Sequence, residues 1–190
     1  MRCEVCKSIN TFKFLDLGKQ PLCDDLIGIN SKKKCLKYPS QIFFCKNCYT
    51  ALHKTKIKPS TLFPKSYHYR PRFTKDVLDG MKDFVSSIEK FTNKKKAKIL
   101  DIGCNDGSLL DIFHKRKHIT YGIEPTGAAN EANKKHKILN NFFNIKTAKI
   151  FKKKYSYPDI ITFTNVFAHI NNFSELIKSL KLISNKKSII

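Results

Sequence analysis

Residues 98–113, "KILDIGCNDGSLLDIF", join two apolar patterns through a turn that contains two glycines. The run "KILDI" is typical of a buried strand, and "SLLDIF" favours a helix. Gly103 and Gly107 leave room for a ligand to approach the backbone, and Ser108 opens the helix. In a parallel sheet, turns of this kind lie beyond the carboxyl ends of the strands, where ligands bind. The stretch therefore predicts a binding turn over residues 103–108.

The sequence around this turn alternates between strand and helix patterns. Strands are predicted over residues 97–102, 119–125 and 158–167, with the start of another at 186–190. Helices are predicted over residues 74–91, 108–116, 127–136 and 173–183. This alternation indicates an α/β fold with a parallel sheet. Residues 1–60 have little helical periodicity and are interpreted as loop-like, and the aromatic, proline-containing segment 61–73 is interpreted as a connector.

Composition restricts the classes of function. The formal net charge of +22 raises the question of nucleic-acid binding. However, only four of the 37 basic residues are Arg, and the Lys runs are scattered along the chain, so a solvated, lysine-biased surface is favoured and a nucleic-acid partner is not expected. No run of 18 apolar residues and no apolar signal core occur, which predicts a cytoplasmic protein without a membrane partner.

Cysteine spacing predicts a metal site. Cys3 and Cys6 form one C-x-x-C pair, and Cys45 and Cys48 form another. Two such pairs can complete a tetrahedral zinc site, and four thiolates leave no open position, so the zinc would be structural. The 38 residues between the pairs exceed the spacing of compact zinc fingers. Cys23 and Cys35 therefore compete as ligands on spacing alone.

An acid at the end of the second predicted strand supports the binding turn. Glu124 lies 23 residues after Asp101, and a carboxylate in this place can accept hydrogen bonds from ribose hydroxyls. Ordinary strand-end acids are the alternative interpretation. The turn, the strand order and the acid spacing together favour a nucleoside-containing cofactor.

The pattern Asp101-x-Gly103-x-Asn105-x-Gly107 resembles motif I of class I S-adenosylmethionine-dependent methyltransferases, with Asn105 in place of the middle glycine. Over nearly its whole length, from "CEVC" through "PLCDDLI", "YHYR" and "YGIEP" to "NVFAHI", the chain resembles the sugar C-methyltransferases of deoxysugar biosynthesis. The resemblance implies a Rossmann-like methyltransferase sheet and a small N-terminal zinc-binding domain. We therefore expect a zinc-binding domain at 1–60, a connector and helix at 61–93, and a methyltransferase domain at 94–190.

The resemblance also implies S-adenosylmethionine as cofactor and a nucleotide-linked 4-keto-deoxysugar, methylated at C3, as substrate. The cofactor-binding residues that it implies are Asp101, Gly103, Cys104, Asn105, Gly107, Ser108, Glu124, Pro125, Asn141, Phe142 and Asn165. The reaction needs a base that removes the C3 proton and a donor that stabilises the resulting enolate. Tyr69 and His169 resemble active-site residues of the family and are the candidates for these roles.

Several positions depart from the family pattern. Tyr49 stands where a glycine is usual, Pro71-Arg72 replaces a Ser-Ser pair, and Asn141 replaces an Asp. The family also has a further C-terminal domain that carries the probable general base. We therefore expect the methyltransferase sheet to be incomplete, as in a truncated or split-gene piece, and a complementing C-terminal polypeptide as a possible partner. An RNA methyltransferase with a zinc module and an inactive zinc- and cofactor-binding fragment are the alternatives.

Overall fold

The computed structural model describes residues 1–92 and 94–190. Within them the chain divides into two compact units. The first comprises Met1–Leu62 with Asn171–Phe173, and the second comprises Phe63–Ile170 with Ser174–Ile190.

The first unit is built on an antiparallel sheet in the order β1-β2-β3. Its strands are β1 (Thr11–Pro21), β2 (Lys37–Cys45) and β3 (Ala51–His53), and a short helix, α1 (Pro59–Leu62), follows. The interpretation of residues 1–60 as loop-like was therefore wrong. Both faces of β1 are largely exposed, so the strand has no buried apolar run that would mark it in the sequence. Backbone pairing with β2, interrupted by two register shifts, holds it instead.

The second unit is an α/β structure with a parallel sheet in the order β6-β5-β4-β7. The strands are β4 (Lys98–Ile102), β5 (Ile119–Ile123), β6 (Lys137–Leu139) and β7 (Ile160–Thr162). The helices are α2 (Lys75–Glu89), α3 (Ser108–Lys115), α4 (Ala129–Ala132), α5 (Ile145–Lys154) and α6 (Phe173–Ile183). The predicted α/β class with a parallel sheet is confirmed.

Some predicted bounds differ from the structure. Strand β6 and helix α5 were not predicted, because one has three residues and the other is rich in Lys. The strand predicted over 158–167 ends at Thr162, and a 3-10 turn follows at Phe167–His169. At 186–190 a single parallel bridge pairs Ile189 with Ile160 of β7.

The core of the second unit lies between the sheet and helices α2 and α3. Val85 of α2, Ile99 of β4, Leu109 and Phe113 of α3, and Ile160 of β7 are almost fully buried in one cluster. Burial of each large apolar side chain contributes about 1.5–3 kcal/mol, so this cluster fixes the start of α3 against the end of β4. Among the helices of the described residues, none has the length and apolar character needed to cross a membrane.

Candidate functional site

The turn between β4 and α3 depends on residues in the left-handed backbone region. Gly103, Asn105 and Gly107 have φ values of +74°, +49° and +83°. A Cβ at Gly103 would lie 2.3 Å from Cγ2 of Val166, so this glycine also has no space for a side chain. Asn is among the few non-glycine residues that tolerate this region, which explains how Asn105 replaces the middle glycine of the motif.

Glu124 connects this turn to the turn after β5. Its carboxylate is buried and accepts hydrogen bonds from the backbone N–H of Asn105 at 2.9 Å and from that of Thr126 at 2.8 Å. Each carboxylate oxygen has two acceptor lone pairs, so both retain capacity for one further donor. The acid predicted to hold a ribose therefore lies directly beside the predicted binding turn.

Asn105 has one polar atom that the protein leaves without a partner. Its side-chain N–H donates to the backbone oxygen of Tyr69 at 3.1 Å, whereas its Oδ1 is buried and has no hydrogen-bond partner within residues 1–92 and 94–190. Buried acceptors are nearly always satisfied in folded proteins. A ligand with a hydroxyl or amino donor would satisfy this one.

Asp101 and Cys104 lie beneath the turn, and neither is exposed. Burial, together with the charge of Glu124, raises the pKa of Asp101 to about 7, although the hydrogen bond that its Oδ1 accepts from Thr162 acts in the opposite direction. Asp101 therefore connects β4 to β7 from inside the protein. Burial also raises the pKa of the Cys104 thiol well above its usual range, so Cys104 is a packing residue and not a thiolate nucleophile.

The other predicted cofactor residues lie on the loops that follow the strands. Ser108 donates its hydroxyl to Asp106 at 2.6 Å, and Phe142 accepts at its backbone oxygen from the Thr147 hydroxyl at 2.7 Å. Pro125 is partly buried after β5, Asn141 is exposed after β6, and Asn165 is exposed after β7 with a φ of +56°. Because all four strands are parallel, these loops share the carboxyl edge of the sheet.

The two predicted catalytic residues are both exposed. The side chain of Tyr69 lies in the segment before α2 and is 41% exposed. His169 ends the 3-10 turn after β7, and its ring packs edge-on against Phe63 with 5.3 Å between the ring centroids. Both residues can therefore reach a ligand at the surface of this unit.

An ion-pair network at the same edge was not predicted. The Arg72 guanidinium contacts Oδ2 of Asp106 at 2.7 Å and Oε2 of Glu131 at 3.1 Å, and the Nε of Arg70 contacts Oε1 of Glu131 at 2.7 Å. One signal was present in the sequence. Arg is rare in this chain, and two of its four Arg residues lie within residues 70–72.

A second group that sequence analysis missed centres on Asn140. Its side-chain N–H donates to the backbone oxygens of Glu124 and Thr126 at 2.7 and 3.0 Å, and its Oδ1 accepts from Lys65 at 2.6 Å. Asn140 thus fixes the backbone on either side of Pro125. No motif marks this residue, because its partners are backbone atoms of a distant turn.

The four paired cysteines of the first unit form a single cluster. The Sγ atoms of Cys3, Cys6, Cys45 and Cys48 all lie within 4.8 Å of one another. Two of the separations, Cys3 to Cys48 and Cys6 to Cys45, are 3.6 Å. Tetrahedral zinc with Zn–S bonds of about 2.3 Å requires S–S separations of roughly 3.8 Å, so the cluster fits this metal.

The four thiols of the cluster have unequal environments. The Thr50 hydroxyl lies 3.2 Å from Sγ of Cys48 and lowers the pKa of that thiol to about 6. Although the hydrogen bond from the Ser8 backbone acts in the opposite direction, desolvation and the neighbouring thiols raise the pKa of Cys6 to about 12. Cys23 and Cys35, which competed on spacing, do not belong to the cluster. The Cys35 thiol instead donates to the backbone oxygen of Asp25 at 3.1 Å.

Both C-x-x-C knuckles have the same backbone geometry. The N–H of Lys7 donates to the oxygen of Cys3 at 3.0 Å, and the N–H of Tyr49 donates to that of Cys45 at 2.9 Å. Lys7 and Tyr49 have φ values of +64° and +58°. Glycine is favoured in this region, which is the physical reason for a glycine at the position that Tyr49 occupies here.

Family models match both units. A model described as "Methyltransferase domain" matches residues 68–190, and one described as "Putative zinc binding domain" matches residues 3–63. This chain belongs to the methyltransferase domain family. The predicted class of enzyme domain is thereby confirmed, and so is its combination with an N-terminal cysteine-rich domain. No curated protein matches the sequence.

Among solved structures, the chain is similar to the plantazolicin methyltransferase BpumL in complex with a pentazolic desmethylPZN analogue and SAH. The two sequences are 25% identical, the TM-score is 0.49, and the match covers 62% of this chain and 46% of that chain. It is also similar to magnesium protoporphyrin IX methyltransferase from Synechocystis PCC 6803 with bound SAM, at 15% identity and a TM-score of 0.45, with 57% of this chain and 54% of that chain covered. A SAM dependent methyltransferase from Archaeoglobus fulgidus matches at 18% identity and a TM-score of 0.47, with 58% of this chain and 48% of that chain covered. The chain spans about half the length of these structures.

Proposed function

We propose that this chain binds S-adenosylmethionine at the turn 103–108 beside Glu124, and that it serves methyl transfer to C3 of a nucleotide-linked 4-keto-deoxysugar. The observation that carries the first part is a buried acceptor pair. The Glu124 carboxylate and the unpartnered Oδ1 of Asn105 belong to neighbouring turns, and the Asn105 N–H bonds directly to Glu124. The substrate rests on the resemblance to sugar C-methyltransferases.

The residues present fit such a cofactor. A ribose offers two hydroxyl donors, and the oxygens of Glu124 can each accept one more hydrogen bond. The left-handed backbone at Gly103 and Gly107 removes side-chain atoms from the turn, so that a ligand can approach the main chain. Asn141 and Phe142, on the loop after β6, can offer an amide and an aromatic face to an adenine at the same edge.

When bound, S-adenosylmethionine would supply an electrophilic methyl group. This chain's own residues would orient the sugar and move its proton. The phenol of Tyr69 can donate a hydrogen bond to a ketone oxygen, which would stabilise the negative charge that develops there as the C3–H bond breaks. The imidazole of His169 can accept a proton. The exposure of both side chains leaves them available to a substrate.

We propose a separate, structural role for zinc in the first unit. Four thiolates would fill the tetrahedral coordination of the ion, so no position would remain for water or substrate. Cys3 and Cys45 are fully buried and form the apolar cluster of this unit together with Leu52. Because the cluster is this small, the metal would supply much of the folding free energy of the unit.

Calorimetry with S-adenosylmethionine tests the cofactor site. Glu124→Ala removes a charged acceptor, and each hydrogen bond to such a group is worth about 1.5–3 kcal/mol, so affinity should fall tenfold or more. Glu124→Gln keeps one acceptor oxygen and should weaken binding less. Glu89→Gln, which alters an ion pair with Arg116 away from this edge, is the matched control. Equal affinity in wild type and Glu124→Ala would contradict the assignment.

Transfer of a labelled methyl group tests the substrate. The chain is incubated with labelled cofactor and either a nucleotide-linked 4-keto-deoxysugar or RNA, and the products are separated. Label in the sugar that depends on Tyr69 and His169 supports the proposal. Label in RNA would replace the sugar with a nucleic-acid substrate. Cofactor binding without transfer to either would leave the cofactor site standing and contradict the proposed substrate.

A further inference from the structure

Residues 63–73, here called the strap, run across the carboxyl edge of the sheet immediately before α2. The backbone oxygen of Lys65 accepts a hydrogen bond from the N–H of Gly127 at 3.0 Å. The side-chain Nζ of Lys65 donates to Oδ1 of Asn140 at 2.6 Å. A Cβ at Gly127 would lie 2.6 Å from the Lys65 oxygen, so the strap is in close contact with the turn after β5. The strap therefore contacts the loops after two different strands.

The strongest connection between the strap and the cofactor turn is made by Arg72. Its Nε donates to Oδ2 of Asp106 at 2.7 Å, and its Nη2 donates to the backbone oxygen of Asp106 at 3.2 Å. The same guanidinium contacts Glu131, which is also held by Arg70. Arg70 in turn donates to the backbone oxygen of Tyr69, the atom that also accepts from Asn105.

Asp106 is the residue through which Arg72 can act on the turn. Its side chain is fully buried, and its Oδ1 accepts from both the N–H and the hydroxyl of Ser108, at 3.0 and 2.6 Å. Burial alone would favour the neutral acid, but the hydrogen bonds from Ser108 and Arg72 hold the pKa of Asp106 below its usual range. The start of α3 is thus organised around a buried carboxylate whose cationic partner comes from the strap.

We propose that Arg72 is a positioning residue for the cofactor turn: by neutralising buried Asp106, it holds residues 103–108 in the geometry that binds the cofactor. The inference rests on the proposed function. Arg72 holds the Asp106 carboxylate, and Glu124 holds the Asn105 N–H. The turn is thus held by two separate elements, the strap and the residue that follows β5.

The backbone of the turn gives a reason why such support is needed. Three of its five residues from 103 to 107 have positive φ, and one of them is not glycine. A left-handed non-glycine residue costs on the order of 1–2 kcal/mol and persists only where the surroundings hold it. Without the Arg72 side chain, the buried carboxylate of Asp106 would lose the cationic hydrogen-bond partner that lies 2.7 Å from its Oδ2, and its charge would be left unpaired.

A double-mutant cycle with calorimetric S-adenosylmethionine affinity tests this inference. Arg72→Ala should weaken binding about tenfold or more, since an unpaired buried charge is costly. Asp106→Asn should also weaken binding, because its amide N–H would face the guanidinium. The double variant Arg72→Ala/Asp106→Asn should lose much less than the product of the two single effects, because neither the charge nor its partner remains. Arg72→Lys, which retains the charge, should recover part of the loss.

Arg116→Ala is the matched control. This arginine also belongs to the second unit and pairs with Glu89, but it follows α3 at the amino edge of the sheet. Its removal should leave affinity within about twofold of wild type, whatever it does to the melting temperature. The positioning role would be overturned if the loss of affinity in the double variant equalled the product of the losses in the two single variants. It would also be overturned if Arg72→Ala bound the cofactor with wild-type affinity.

Two further results keep the inference distinct from general stability and from the proposed function. If Arg72→Ala lowers only the melting temperature and leaves the affinity of the folded protein unchanged, Arg72 is structural and the inference is wrong. Should Arg72→Ala not fold, the cycle is run with Arg72→Lys and Asp106→Asn under the same criterion. Absence of binding by the wild type would contradict the proposed function instead.

Discussion

Replacement of Gly103 by Ala tests the geometry of the cofactor turn most directly. The new Cβ would lie 2.3 Å from Cγ2 of Val166, and Gly103 has a φ of +74°. The left-handed backbone costs Ala about 1–2 kcal/mol, and overpacking typically adds about 1–3 kcal/mol. Gly103→Ala should therefore lower the free energy of unfolding of the second unit by about 2–5 kcal/mol.

Urea unfolding followed by circular dichroism at the helix band measures this loss, since helices α2 to α6 carry nearly all of the helical signal. Val166→Ala provides the control, because it removes Cγ2, the closest atom. In that background Gly103→Ala should cost only the backbone contribution, about 1–2 kcal/mol. If the cost of Gly103→Ala is the same with and without the Val166 side chain, the steric part of the reasoning is refuted.

Two further predictions concern the metal and a buried acid. Cys45→Ser should lose the zinc measured by metal analysis and the structure of the first unit, whereas Cys23→Ser should retain full zinc; full occupancy in Cys45→Ser would contradict the ligand set. Asp101→Asn should become more stable relative to wild type as pH rises. Because the pKa of Asp101 is raised in the folded protein to about 7 from 3.8, the wild type carries a penalty that is absent below pH 3.8 and complete above about pH 7. This penalty is at most about 4 kcal/mol, at 1.36 kcal/mol per unit. Urea unfolding of both proteins between about pH 4 and 8 measures it, and a stability difference independent of pH would contradict the assignment.

Local sequence patterns determined the class of the fold and the place of the turn. Strand β4, helix α3 and strand β5 were predicted close to their observed bounds, because a buried strand and an amphipathic helix each have a distinct apolar period. The two C-x-x-C pairs also identified the metal cluster, since a zinc knuckle is a local structure with its own spacing. These features depend on residues that are neighbours in the chain.

Other features were decided only when distant segments met in the tertiary structure. Arg72 pairs with Asp106, and Asn140 supports the backbone at Glu124, although no sequence period or spacing relates these residues. The position of Cys35 outside the metal cluster, where its thiol bonds to the backbone of Asp25, was likewise visible only in the structure. Arg72 and Asp106 are 34 positions apart. Burial likewise raises the pKa of Asp101, a property of its surroundings and not of its motif. The sequence by itself thus determined which residues form the turn, and only the tertiary packing decided what holds that turn in place, because a buried charge can be balanced by any segment that the fold brings within hydrogen-bond distance.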